Sequence, residues 1–228
     1  ASIGGNNVVN YQYKIGPSAT TFCNLSADYS IDFSISSNLM ENLSSYPDGP
    51  LTLCVIGKDS NGIQQLYSNA TTYTWTKDTV APIALLTGQP TGTSGTKNLA
   101  ISVSGSGVVS YQYKVGATGS TNCSLATGYS TEILVSQNIT NDISAIPDGN
   151  ITLCVLGKDS AGNLQATTNF TTTTWIKDTV APIVTSVNSA KANGAYSTGV
   201  HIDIEITFSK IVNVTSGTPT LDLNSHMN

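Results

Sequence analysis

The stretch LTLCVIGKDSNG, Leu51 to Gly62, returns one hundred positions later as ITLCVLGKDSAG, Ile151 to Gly162. Leu51, Leu53, Val55 and Gly57 alternate with Thr52, Cys54 and Ile56, the period of a strand with one face turned to a core. Pro47-Asp48-Gly49 leads into it, with Pro fixing φ and Gly free to take a positive φ. The KDSNG run closes it in the same way. Strands set between turn signals about ten residues apart predict an all-β sandwich.

Working outward, the offset stays constant. YQYKIG at Tyr11 to Gly16 matches YQYKVG at Tyr111 to Gly116, Cys23 matches Cys123, and Tyr29-Ser30 matches Tyr129-Ser130. Pro147-Asp148-Gly149 repeats the first turn, and YTWTKDTVAPI from Tyr73 is echoed by TTWIKDTVAPI from Thr173. A unit of one hundred residues is too long for a solenoid repeat and is the size of one sandwich domain. The chain therefore divides into a first copy at 1–81, a second at 82–181 and a different segment at 182–228. Within the first copy Val9, Tyr11, Tyr13 and Ile15 share one strand face, and Val8, Asn10, Gln12 and Lys14 the other.

Ala1 aligns with Ile101, inside LAISVSG at Leu99 to Gly105. That run reads as the first strand of the second copy, so the first copy is expected to have a shortened first strand. After Pro182 the match stops. Strands are expected at Val184 to Ser189, His201 to Phe208 and Thr220 to Leu223, half a sandwich with apolar faces to cover. Both ends read as cuts in a longer array, the alternative being completion by strand addition from a neighbouring chain.

Composition narrows the class. The 228 residues carry a net charge of -5 and only 10% are charged, which argues against nucleic acid as a partner. Val, Ile and Thr dominate the structured stretches. No apolar run has the length of a membrane-spanning helix, Ala1 opens no signal-peptide pattern, and no helical period stands out.

The four cysteines fall two to a copy. Pairing Cys23 with Cys54 and Cys123 with Cys154 respects the repeat, and free thiols are the alternative. No CxxC and no neighbouring His supports a metal or redox site. By alternation Cys54 points away from the Leu51, Leu53 and Val55 face, so the bond is expected as a staple on the outer face of a sheet. Disulfides imply an oxidising compartment.

The run from PDG through an alternating strand to KDSAGN resembles the penultimate strand of bacterial immunoglobulin-like and fibronectin type III-like repeats. The linker W-x-KDTVAP resembles the boundary between such repeats in large bacterial surface adhesins. VHIDIEITFSKIVNVT and GTPTLDLN are similar to another immunoglobulin-like repeat of the same giant proteins. The resemblance implies tandem immunoglobulin-like (fibronectin III-like) β-sandwich domains in an elongated array, on a bacterial cell surface or secreted. It implies a stalk or spacer that projects a recognition domain, with neighbouring immunoglobulin-like domains of the same longer chain as partners. A binding module is the second reading. It would recognise a host or prey cell-surface glycan or protein through end loops, Gly16 to Ser30 and Gly116 to Ser130. There the copies differ most at their starts, PSATTF against ATGSTN. An accessory region of a secreted glycoside hydrolase is the third.

In some calcium-dependent adhesins similar linkers gather carboxylates around Ca²⁺, which makes Asp59, Asp78, Asp159 and Asp178 candidate ligands. The simpler expectation is that each Asp caps its own turn, with no cofactor. Trp75 and Trp175 are expected in a domain-edge core or at an interdomain contact, sugar stacking being the alternative. Tyr29, Tyr46, Tyr67 and Tyr129 are candidate exposed aromatics. His201 and His226 lie far from any partner Ser or Cys, so no catalytic triad is read. Glu41 with Asp48, and Asp203 with Glu205, have no glycosidase setting, and the last pair reads as a solvated strand face. No enzyme is expected. Asn24, Asn42, Asn69, Asn138 and Asn169 begin Asn-x-Ser/Thr triplets, which in a chain so rich in these residues arise mostly by chance.

Overall fold

The computed structural model describes residues 1–213, 215–217 and 220, and its fold is an all-β sandwich of mainly antiparallel sheets. In the first copy β1 (Val8–Pro17), β2 (Phe33–Ser34), β3 (Gly49–Asp59) and β4 (Thr71–Lys77) form one sheet in the order β2-β1-β3-β4. In the second copy the strands are β5 (Leu85–Thr87), β6 (Thr93–Ser94), β7 (Asn98–Ser104) and β8 (Ser110–Ala117). They continue with β9 (Ile133–Leu134), β10 (Ile139–Asp142), β11 (Gly149–Lys158) and β12 (Thr171–Lys177). One sheet runs β6-β12-β11-β8-β9 and the other β10-β7-β5. All pairings are antiparallel except β6 with β12, which is parallel.

The core of the second copy lies between these sheets. Leu99, Ile101 and Val103 of β7 and Ile139 of β10 meet Ile151, Leu153 and Val155 of β11, with Tyr111 and Trp175 filling the same layer. These are the alternate positions of each strand, so period-two patterning places them on facing surfaces.

The four-stranded sheet of the first copy repeats its counterpart residue for residue. Leu51 pairs with Trp75 as Ile151 pairs with Trp175, and Tyr11 faces Gly57 as Tyr111 faces Gly157. Of the opposing sheet the described residues include a bridge in which Ala1 N donates to Leu39 O at 3.0 Å and Leu39 N to Ala1 O at 2.9 Å. This bridge is the counterpart of Ile101↔Ile139.

The reading of LAISVSG as the first strand of the second copy is corrected. LAISVSG is the third strand of the second copy, preceded by β5 and β6. Those strands span three and two residues, too short to show an alternation. At the constant offset the positions equivalent to them lie before Ala1. Leu153 and Val155 are completely buried, whereas Leu53 and Val55 are only half-buried.

Beyond Pro182, β13 (Val184–Asn188) pairs antiparallel with β14 (Glu205–Phe208). The strand expected from His201 begins at Glu205 because β13 ends opposite it, at Asn188. Thr220 carries no strand, and the rest of the stretch expected to Leu223 lies outside the described residues. Asp203 and Glu205 are exposed.

Candidate functional site

Two constructions recur in both copies: a stapled loop over the outer sheet face, and a carboxylate clamp at the start of each linker. The structure joins Cys123 to Cys154 and Cys23 to Cys54. Cys154 and Leu156 are buried yet stand outside the core between the sheets. Cys154 is tied on that side to the loop that carries Cys123, so β11 is buried on both faces.

That loop is fastened at several points. Lys114 Nζ donates to the carbonyls of Leu125 at 2.6 Å and Thr127 at 3.2 Å, and lies 4.3 Å from the centre of the Tyr129 ring. The Tyr129 hydroxyl donates to Cys123 O at 2.8 Å, and Ser130 Oγ accepts from Tyr113 N at 3.1 Å. Burial lowers the Lys114 pKa and raises that of Tyr129. In the first copy Lys14, Leu25, Ala27, Tyr29 and Cys23 make the same contacts. Gly116 is where the loop comes nearest the strand: an added Cβ would stand 2.5 Å from Thr121 Oγ1. The residues that differ between the copies, 17–22 against 117–122, border this closed loop. Phe22 is exposed, and its counterpart Asn122 caps its own turn by accepting from Ser124 N.

At the linker, Asp148 Oδ1 accepts from Lys177 Nζ at 2.9 Å and Asp148 Oδ2 from Thr179 N at 2.7 Å. Lys177, nearly buried, also donates to Ile146 O at 2.7 Å. Asp48, Lys77, Thr79 and Tyr46 repeat the arrangement. The lysine, followed by the threonine amide, holds both carboxyls down at a pKa of about 2. The PDG turn thus ties the end of the last strand to the linker that leaves it. Asp48 and Asp148 were not singled out from the sequence for this role. The signal was there: PDG and KDT recur together at a fixed distance.

The four calcium candidates are not brought together. Asp59 Oδ1 accepts from Asn61 N and Ile63 N, Asp159 Oδ1 from Asn163 N, Asp78 Oδ1 from Val80 N and Asp178 Oδ1 from Val180 N. Each caps its own turn. Among the described residues no group of three or more His, Cys, Asp or Glu side chains is placed to hold a metal. Two of these turns also reach across joints. Asn163, held by Asp159, donates from Nδ2 to Asp78 O at 3.1 Å, linking the two copies. Lys210 donates to Asp178 Oδ2 at 2.6 Å and to Val180 O at 2.7 Å, linking the second copy to the β13–β14 segment.

Trp175 belongs to the core, and its Nε1 has no hydrogen-bond partner among the described residues. Trp75 is half-buried and stacks on the exposed Tyr73 with centroids 5.8 Å apart. Tyr13 and Tyr46 both donate to Glu41, and this bond pushes the Tyr13 pKa up to about 12. Tyr29 packs on Tyr67 at 5.1 Å. His201 is exposed, and His226 lies outside the described residues. Among the described residues no helix is long and apolar enough to cross a membrane.

No protein-family model matches the chain, and no curated protein matches it. Among solved structures it is similar to a tetra-tandem repeat from the extending region of a large adhesion protein, with a TM-score of 0.31, 16% identity and 89% of this chain covered. It is also similar to SGBP-B of a Bacteroides ovatus mixed-linkage glucan utilization locus, solved with a mixed-linkage heptasaccharide, with a TM-score of 0.20, 14% identity and 85% of this chain covered. The chain spans 56% of the first of these proteins and 44% of the second.

Proposed function

We propose that the chain is a structural spacer, a stretch of the stalk of an extracellular bacterial adhesin or fibre. It would hold a recognition domain away from the surface and have no catalytic activity of its own. One observation carries this reading: the polar residues that recur between the copies are engaged in internal bonds. The Asp148–Lys177–Thr179 clamp, the Lys114–Tyr129 loop anchor, the disulfide and the Asp159 turn cap all have partners within the protein. A repeated binding or catalytic site would instead turn its shared polar groups toward a common cleft. The linkers support the same reading, because Pro82 and Pro182 restrict the backbone and side chains from the following segment reach back to Asp78 and Asp178. The disulfides point to an extracellular or surface location.

The test combines small-angle scattering with a multivalent glycan array. An elongated particle without reproducible glycan binding is expected. A compact particle, or a glycan signal lost on substituting residues in 116–130, would overturn the spacer reading.

A further inference from the structure

The turn that closes β3 holds an Asn-Gly pair, Asn61-Gly62, where the second copy has Ala161-Gly162. The two turns are built alike. Gly62 N donates to Asp59 O at 3.1 Å and Gly162 N to Asp159 O at 3.3 Å, and both glycines have a positive φ, 81° and 96°. Asn61 N donates to Asp59 Oδ1 at 2.9 Å and Ile63 N to the same oxygen at 2.8 Å. Asn61 is held through its backbone, and its side chain makes no hydrogen bond among the described residues.

Asn61 and Gly62 are exposed. A docked neighbour leaves that exposure in place. In the second copy the preceding linker meets this same turn through Asn163 and the carbonyl of Asp78, and Ala161 and Gly162 are still exposed. Asparagine before glycine is the pairing in which a side-chain amide and the next backbone nitrogen meet with least hindrance, because glycine has no Cβ. The bond from Gly62 N to Asp59 O lies at the surface, where it opens by local fluctuation without global unfolding.

We propose that Asn61 is a site of spontaneous deamidation, specific to the first copy. Gly62 N gives up its proton and attacks Asn61 Cγ. The Cγ–Nδ2 bond breaks, Nδ2 takes up a proton and leaves as ammonia, and a five-membered succinimide remains. Water then opens the ring. Opening at Cγ gives aspartate, and opening at the backbone carbonyl gives isoaspartate. The net change turns one amide and one water into one carboxylic acid and one ammonia, with no oxidant or reductant. Either product sets a second carboxylate close to Asp59, a like-charge neighbour. Isoaspartate also lengthens the backbone by one atom between Asn61 N and Gly62 N, so the bonds from Gly62 N and Ile63 N to Asp59 no longer fit the turn. The first copy's turn loosens with age while that of the second stays closed. The step is independent of the spacer role.

The experiment ages the whole 228-residue chain at mildly alkaline pH and maps it with trypsin. Cleavage after Lys58 and Lys77 releases a peptide holding Asn61 and Asn69; cleavage after Lys158 and Lys177 releases its counterpart with Asn163 and Asn169. The first peptide should gain about 1 Da, the exchange of an amide NH2 for OH. Fragmentation should place the gain at Asn61, with an isoaspartate product labelled by an isoaspartyl methyltransferase. The second peptide should keep its mass. Asn61→Ala puts the second copy's own residue into the turn, and it should abolish the gain with the fold intact. Amide exchange at Ile63 should quicken as conversion proceeds and stay constant in N61A. Asn193-Gly194, the other Asn-Gly pair, serves as the reference for the reaction. An intact Asn61 overturns the proposal whether or not Asn193 converts. So does conversion of Asn61 only when urea has unfolded the chain. Conversion with unchanged exchange at Ile63 overturns the loosening of the turn.

Discussion

Removing the Cys123–Cys154 bond tests the account of the outer face most directly. The cysteines are 31 residues apart. Cross-linking removes loop-closure entropy from the unfolded chain, by about 12 cal/mol/K for a loop of this length, or about 3.7 kcal/mol at 25 °C. The double change C123A/C154A should cost about that much. Alanine leaves no buried hydroxyl, and lost packing around the fully buried Cys154 adds a smaller amount. The assay is urea unfolding in a Trp75→Phe background, so that Trp175 in the core reports the second copy. With an m-value near about 1.2 kcal/mol/M for a domain of this size, the midpoint should fall by about 3 M. Amide exchange should show the loop around Tyr129 loosening before the core, since only hydrogen bonds such as those of Lys114, Tyr129 and Ser130 would then fasten it. C23A/C54A closes the same span, 31 residues, and should cost the first copy a similar amount. A loss below about 1 kcal/mol with an unchanged far-UV spectrum would refute the entropic argument. The loop would then be just as restricted in the unfolded chain without its bond.

The linker clamps predict acid sensitivity. Asp48 and Asp148 titrate near about 2 when folded against 3.8 when free, so their contribution is present above pH 3.8 and is lost as pH falls toward 2. Melting midpoints should drop across that window, and Asp148→Asn should flatten the drop for the second copy. Gly116→Ala should destabilise by about 1–3 kcal/mol, since its Cβ would stand 2.5 Å from Thr121 Oγ1. Adding Thr121→Ala should recover most of that loss in a denaturant titration. Trp175→Phe should cost well under the roughly 3–5 kcal/mol of Trp175→Ala, because it removes a buried N–H that has no partner. Chelation by EGTA should leave the melting midpoint where it is, since the four linker and turn aspartates cap their own turns. A downward shift would return calcium to those joints.

The sequence by itself determined the repeat, the strand faces and which cysteines share a copy. These are local or periodic properties: alternation at Leu51–Val55 and a constant offset of one hundred residues need no knowledge of partners in space. Turn chemistry was equally legible, because an Asp two to four residues before an amide caps it within the same few bonds. Tertiary structure alone decided three things. Strands β5 and β6 are too short to carry a period, so only their pairing with β7 and β12 revealed their place in the second copy's sheets. The clamp between Asp148 and Lys177 joins residues 29 apart in sequence, a contact made only when β11 and β12 lie side by side. Burial of Cys154 on the outer face depended on the loop that carries Cys123 folding back over the sheet. Alternation assigns a residue to a face, but what covers that face is a long-range fact that strand patterning does not encode.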